Sequence, residues 1–347
     1  MRVLQVMASG IHGGAEVFYE DLVQALARPS IERAGVEQSC VIRPHPARAA
    51  ILTSVGCPVS MLPFGGPLDL ITPWKLKHIA AAAKPDVILG WMNRACTNLP
   101  RGPWVNVGRL GGYYDLKYYR RCAHLICNTP DIASYVIREG RDPATVHYIP
   151  NFCPVVRTPA ADRALLDTPK DAKVLLILAR LHEAKGIDIA LRALTQVPGA
   201  VLWIAGEGPL EAALKRLTAD LGLSSRVRFL GWRDDRSALL RAADICLVPS
   251  RHEPFGNVVI NAWAHDIPVV ACASQGPGFL ITDGADGLKV PVDDAAALAG
   301  AISVLLRDPA LAQRLIAGGQ ARVAAEFSEA AAVGRYREVL ETAIRTG

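Results

Sequence analysis

Short apolar runs alternate with stretches of helical period along most of the chain. The pattern predicts strands at Val3–Met7, Ser39–Ile42, Val59–Leu62, Asp86–Gly90, Val105–Leu110 and His124–Cys127. Between them it predicts helices at Ala15–Ala27, Pro73–Ala83, Tyr114–Cys122 and Asp131–Glu139. The alternation breaks from Ile149-Pro150 to Pro169, where prolines and charges replace periodic structure. It restarts with strands at Val174–Ala179, Ala200–Ala205, Arg226–Leu230, Ile245–Val248 and Val269–Ala273. The helices of this second series fall at Gly186–Gln196, Pro209–Leu221, Asp235–Ala242, Gly256–Ala264 and Asp294–Arg307, and two more, Leu311–Glu326 and Glu329–Thr346, close the chain. Strand–helix alternation with short connections calls for parallel sheets covered on both faces. The expectation is an α/β chain of two Rossmann-like domains facing across a cleft. The first spans 1–152 and the second 153–328, and the last helix, 329–347, packs back toward the first.

Composition narrows the class. Of 347 residues 51% are hydrophobic and 20% charged, which describes a globular chain with large cores. No apolar run approaches a membrane span. The opening MRVLQVMASG reads as a strand and not as a signal peptide. Eight cysteines lack any C-x-x-C pairing, and Cys127, Cys246 and Cys272 sit in apolar strands, as in a reducing cytoplasm. The net charge of +5 lies entirely in residues 1–150, with 16 Lys and Arg against 11 Asp and Glu; the remainder carries 22 of each. An anionic membrane surface or an anionic acceptor fits that half. No groove-binding or stacking motif points to nucleic acid.

Candidate chemistry gathers where strands meet helices. Glu253, in S-R-H-E-P-F-G-N-V-V, falls between the strand ending at Val248 and a helix opening at Gly256-Asn257. Two readings stand for it: a helix-capping acid, or a ligand contact at the edge where open α/β sheets bind. Arg180 and Lys185 lie on the first connection of the second series, after Val174–Ala179, a pairing suited to a diphosphate, or else two solvated loop charges. Gly206-Glu207-Gly208-Pro209 is a further strand–turn–helix corner, where a glycine at positive φ is expected. In the first half, His12-Gly13-Gly14 lies between strand and helix. It lets a ligand approach the backbone, but its spacing is not that of the dinucleotide fingerprint, which argues against a dehydrogenase. His12 reads equally as an acid/base or donor contact and as a plain loop residue.

Taken together and in this order, Gly13-Gly14, Arg180 with Lys185, Gly206-x-Gly208-Pro209 and E-P-F-G-N-V-V resemble the family 4 retaining glycosyltransferases, which have the GT-B fold. The resemblance implies that Arg180 and Lys185 bind the diphosphate of a donor sugar nucleotide. It implies that Glu253 contacts the sugar hydroxyls and that Phe255, Gly256, Asn257 and Val258 run their backbone past the sugar. Gly13-Gly14 would close over the donor from the other domain. The family's second glutamate, which holds the ribose, is here Asn261, which cannot give the charge-assisted bond of a carboxylate. A histidine common in the middle of the first domain is also missing; that stretch reads R-L-G-G-Y-Y-D-L-K-Y-Y. It resembles bacterial transferases of the lipopolysaccharide core, and Tyr113, Tyr114 or Asp115 would then orient the acceptor.

The expected reaction is hexose transfer with retention from a UDP- or GDP-sugar to a glycan or glycolipid, without a metal or other cofactor. No D-x-D stands at a strand end, and Asp234-Asp235 and Asp293-Asp294 read as acids at helix starts. Two aromatic and basic stretches, Leu70–Lys77 and Tyr113–Arg121, suggest peripheral contact with the inner face of the plasma membrane. The rival readings are a nucleotide-sugar 2-epimerase and a non-catalytic nucleotide-sugar binder.

Overall fold

The computed structural model describes residues 1–11, 13–29, 34–66, 68–155 and 158–347. The chain forms two compact units, Met1–Phe152 with Glu329–Gly347, and Cys153–Ser328.

In the first unit the order is β1 (Arg2–Met7), α1 (Gly14–Ala27), β2 (Glu37–Ile42), α2 (Pro46–Ser54), β3 (Val59–Met61), α3 (Ile71–Ala83), β4 (Val87–Trp91), α4 (Met92–Asn98), β5 (Val105–Leu110), β6 (His124–Cys127), α5 (Pro130–Arg138) and β7 (Val146–Tyr148). The second unit contains β8 (Lys173–Leu178), α6 (Ile187–Leu194), β9 (Ala200–Ala205), α7 (Glu211–Asp220), β10 (Val227–Gly231), α8 (Arg236–Ala242), β11 (Ile245–Val248), α9 (Asn257–Ala264), β12 (Val269–Cys272), α10 (Gln275–Leu280), β13 (Leu288–Val290), α11 (Ala295–Arg307) and α12 (Pro309–Glu326). The last helix, α13 (Glu329–Thr346), belongs to the first unit.

The first sheet has seven parallel strands in the order β3-β2-β1-β4-β5-β6-β7, and the second has six, β10-β9-β8-β11-β12-β13. Central strands such as β4 and β9 are buried at every residue, which is why they read as unbroken apolar runs. Successive side chains feed opposite faces. Leu175 and Ile177 join Leu191 and Ile302 on one side, and Val174 and Leu176 join Trp203 and Trp263 on the other. In the first unit Val3 and Met7 meet Phe18 and Leu22, while Leu4 and Val6 meet Leu76 and Ala80. Among the described residues all eight cysteines are free and buried. No single helix there is long and apolar enough to cross a membrane.

Several elements escape the hydrophobic pattern. Helix α2 starts on Pro46, preceded by His45 whose Nδ1 accepts from the Arg48 N–H at 3.2 Å; the proline is the first helical residue, where its missing N–H costs nothing. Helix α10, Q-G-P-G-F-L, forms against its own propensity because Gly276 donates to the Glu253 carbonyl at 2.7 Å. The strands β7 and β13 are three residues each, too short to show a period. The helix expected over Tyr114–Cys122 is only a 3-10 turn at Leu116–Tyr119, capped by Asp115.

Helix α13 places Ala332, Tyr336, Leu340 and Ala343 in the same cluster as Val3, Phe18 and Val87. Arg28 pairs with Glu329 at 3.0 Å, and Arg337 donates to the Ala34 carbonyl at 2.9 Å. At its far end Thr346 meets His124 Nε2 at 3.0 Å, and His124 Nδ1 meets His147 Nε2 at 3.0 Å. Burial holds both imidazoles below the ordinary histidine value of 6.5, with Arg141 adding to the effect at His124 and His124 itself at His147. As pH falls through 6.5 the unfolded chain takes up protons before the folded one does. The stability that comes from keeping the pair neutral is therefore complete above that pH and declines below it. Thermal melts should show a loss of Tm between pH 7.5 and 5.5 that is visibly smaller in a His124→Gln/His147→Gln variant; parallel pH profiles would refute the assignment.

Glycine is required where connections at the carboxyl edge of the second sheet touch. Gly206 has φ +146°, and a Cβ there would lie 2.0 Å from the Ala179 carbonyl oxygen. Gly206→Ala should cost roughly 1–3 kcal/mol, read as a lowered Tm, and a wild-type melt would show that the two connections can separate freely.

Candidate functional site

In the second sheet the strand order reverses between β8 and β11. Their outgoing chains part to opposite sides of the sheet, and the crevice at the carboxyl ends is where an open α/β sheet takes a ligand. Lys185 arrives on the β8–α6 connection and Glu253 on the β11–α9 connection, and Lys185 Nζ lies 2.6 Å from Glu253 Oε2. Both side chains are about one-fifth exposed, at 23% and 18%, so the pair is shielded yet reachable.

The two connections are locked by their backbones. Gly186 has φ +58°, and a Cβ on it would stand 2.0 Å from the Pro249 carbonyl oxygen. His252 donates its N–H to the Ala184 carbonyl at 3.0 Å. Arg251 adds a fork: Nη1 and Nη2 reach the Asp188 carboxylate at 2.8 and 2.7 Å, Nε reaches Asp293 at 2.6 Å, and Nη1 also donates to the Glu183 carbonyl at 3.1 Å. These bonds raise the Arg251 guanidinium further above its ordinary range. Burial works against the Asp188 carboxylate, but the hydrogen bonds and charge of Arg251 outweigh it and hold that carboxyl below the usual range.

Arg180 stands two residues beyond β8. Its neighbour Leu181 points inward, 1% exposed, and donates its N–H to the Glu207 carbonyl at 2.9 Å. Gly208 packs as closely, since a Cβ there would meet the Leu181 carbonyl at 2.4 Å. The Arg180 backbone is thus held on both flanks while its side chain is exposed. Among the described residues it has no hydrogen-bond or ion-pair partner. The structure joins Lys185 to Glu253 directly and sets Arg180 on the same connection as Lys185.

Helix α9 opens on Gly256, at φ +100°. The Phe255 ring is buried against Phe327, so only its backbone can face a ligand; Asn257 and Val258 are half-buried. The Val259 N–H donates to the Gly256 carbonyl at 2.9 Å. Asn261 is occupied at both ends of its amide. Its Nδ2 donates to the Asn257 carbonyl at 2.8 Å, and its Oδ1 accepts from the Cys153 thiol at 2.6 Å. The acids near helix starts are likewise engaged: Asp294 caps α11, Asp235 pairs with Arg233, and Asp234 accepts from Trp232 Nε1 at 2.9 Å. Among the described residues no group of three or more His, Cys, Asp or Glu side chains is placed to hold a metal.

In the first sheet the reversal falls between β1 and β4, and Gly13-Gly14 ends the β1–α1 connection there. Gly13 is extended, with φ −167°, and neither glycine has positive φ, so backbone conformation does not explain them. His12 lies outside the described residues. The residue that pattern reading missed is Arg48, fully buried on α2, which grips this connection at the Ser9 and Ile11 carbonyls. Its signal was a basic residue three positions after His45, hidden because α2 itself was not foreseen.

Tyr113 donates its hydroxyl to Asp131 and packs edge-on against Tyr135; burial, then the Asp131 contact, push its phenol up to about 12. Tyr114 is half-buried and stacks on Tyr119. Asp115 caps the 3-10 turn and pairs with Lys117 at 2.7 Å. In the second aromatic and basic stretch proposed for membrane contact Tyr119 is fully buried and Arg121 donates to the Leu99 carbonyl, while Tyr113, Lys117, Arg120 and Arg121 are exposed. In and just before the first, Leu68, Leu70, Ile71 and Trp74 are 94%, 81%, 58% and 61% exposed.

Comparison with known proteins agrees with this geometry. Residues 172–308 match the family model described as glycosyl transferases group 1. The lipopolysaccharide core biosynthesis glycosyltransferase LpsE of Rhizobium meliloti is 39% identical, over 95% of this chain and 96% of that protein. LpsD of the same organism is 35% identical, over 96% and 97%. The solved structure of Anabaena HepE in complex with UDP-glucose covers 99% of this chain and 100% of its own, with a TM-score of 0.85 at 22% identity. These findings lend the 2-epimerase reading no support. The chain belongs to the group 1 glycosyltransferases and has their GT-B fold.

Proposed function

We propose that this glycosyltransferase moves a hexose, with retention of the anomeric configuration, from a nucleotide-diphosphate sugar to a glycan or glycolipid of the lipopolysaccharide core. The Lys185–Glu253 pair at the reversal of the second sheet carries the reading. An incoming diphosphate competes for Lys185, and Arg180, with no partner of its own among the described residues, supplies forked donors beside it. Once Lys185 turns to phosphate, the Glu253 carboxylate is free to accept from sugar hydroxyls. The backbone at Gly206, Gly208 and Phe255 to Val258 lines the same edge. Cationic side chains and helix N-termini then stabilise charge growing on the leaving phosphate, and no metal is needed. The named relatives of this length support a lipopolysaccharide acceptor, and the UDP-glucose bound by HepE supports UDP over GDP.

The second unit is read as the donor side and the first as the acceptor side, with Tyr113, Tyr114 and Asp115 near the acceptor. Asn261, its amide occupied, holds the ribose more weakly than a glutamate would.

Nucleoside diphosphate release is the direct assay. The donors are a pool of UDP-glucose, UDP-galactose, UDP-N-acetylglucosamine and GDP-mannose, and the acceptor is core-truncated lipopolysaccharide. Release should require acceptor and survive EDTA. Arg180→Ala, Lys185→Ala and Glu253→Gln should each lower kcat/KM by about 100-fold or more. Asn261→Glu should tighten UDP binding in a thermal-shift titration. A protein that binds UDP yet turns over no pair would be the non-catalytic binder instead.

For the membrane reading, the α3 face carries the most exposed large apolar side chains. Asp69 fixes the β3–α3 connection, accepting from the Gly65 and Thr72 N–H groups at 2.6 and 2.9 Å, and so presents Leu68, Leu70, Ile71 and Trp74 beside Lys75 and Lys77. We infer that this face meets anionic lipid, with each lysine contributing about 1 kcal/mol near the surface. Flotation with phosphatidylglycerol vesicles should be salt-sensitive and lost in a Trp74→Ala/Lys75→Glu/Lys77→Glu variant, and undiminished flotation of that variant would end the idea.

A further inference from the structure

Arg48 is 0% exposed, and a buried guanidinium is costly unless its donors are satisfied. Each of its three nitrogens has a partner. Nε donates to Glu20 Oε1 at 2.8 Å, Nη1 to the Ser9 carbonyl at 2.8 Å, and Nη2 to the Ile11 carbonyl at 3.0 Å. Glu20, 8% exposed, sits on α1, the helix that the β1–α1 connection feeds. One side chain from α2 therefore ties the start of that connection to the helix at its end. Its own backbone is fixed in turn by the bond to His45 Nδ1.

Stability alone does not call for an arginine here. Apolar residues of similar volume often replace a buried ion pair without loss. They cannot hold two loop carbonyls. Lysine cannot do so in the same way either, because its ammonium is a single point without a planar fork.

We propose that Arg48, oriented by Glu20, is a positioning residue of the transfer reaction. It holds the β1–α1 connection in the one shape that receives substrate at the reversal point of the first sheet. The inference rests on the reading that the carboxyl edge of the first unit handles substrate. It adds that catalysis there depends on a side chain that touches no substrate. Misplacing a substrate-facing loop by about 1 Å can cost on the order of 100-fold in rate.

The test compares the wild-type protein with Arg48→Lys and with Glu20→Met/Arg48→Met, which removes both buried charges together. Tm, hydrogen exchange of the amides over residues 9–14, and kcat and KM for the nucleotide sugar are measured, with core-truncated lipopolysaccharide as acceptor. The paired variant should melt near wild type, exchange faster across the loop and lose about 10-fold to 100-fold in kcat, with KM for the nucleotide sugar little changed. A merely structural role would leave kcat per folded molecule intact. Arg48→Lys should show the same split in milder form, and it decides the matter if the paired variant does not fold. Wild-type loop exchange and kcat in either folded variant overturn the proposal. Arg180→Ala and Glu253→Gln run alongside: if they lose activity while the Arg48 variants keep it, only this inference fails. If all remain active, the assignment of the reaction site itself is wrong.

Discussion

The ion pair between Lys185 and Glu253 depends on a topological fact. Two strands adjacent in the second sheet, β8 and β11, send their chains to opposite sides, and only there can residues nearly seventy positions apart meet at one edge. The pair is short and partly screened from water, so its geometry is defined by the connections that carry it and not by the flexibility of two long side chains. Those connections are defined in turn by backbone packing. At Gly186, Gly206 and Gly208 a side chain would collide with a carbonyl of the neighbouring connection. The glycines are less a means of bending the chain than of letting three connections touch.

Charge is used in two ways at the two sheet edges. In the second unit Arg251 binds Asp188, Asp293 and a carbonyl at a partly exposed position, where water moderates the Coulomb energy and the fork's geometry matters more than its strength. In the first unit Arg48 does comparable work with Glu20 in complete burial. There an unpaired charge would be prohibitive, so the arrangement admits little variation. Both arginines come from outside the connection they steady. Each edge thus combines a rigid backbone with a few side chains that remain free, Arg180 being the clearest among the described residues.

The exposed apolar face on α3 follows the same logic. Asp69 satisfies the backbone at the start of the helix, and Thr72 is buried beneath it. What remains outward is large and apolar by construction, and it occupies the edge of the first unit that bears the β3–α3 connection.

Much of this was legible in the chain. Central strands such as β4, β9 and β11 announce themselves as apolar runs because both of their faces are buried. Amphipathic helices such as α1 and α6 show their period because one face packs on the sheet and the other meets water. Glu253, Lys185 and Arg180 could be placed at strand ends because a strand's end is visible locally. What could not be read was anything set by distant partners. Helix α10 forms because the Glu253 backbone receives it, and β7 and β13 because a longer neighbour templates them. That Asn261 is bound by Cys153, that Tyr119 is core and not surface, and that Arg48 grips Ser9 and Ile11 are all contacts between segments far apart in number. Hydrophobic period and turn chemistry are properties of neighbours along the chain, so sequence alone determined the strands, the helices and the edge on which chemistry gathers. Which side chains share that edge, and which are spent holding it together, was decided by tertiary packing, because burial and hydrogen-bond partnership depend on proximity in space.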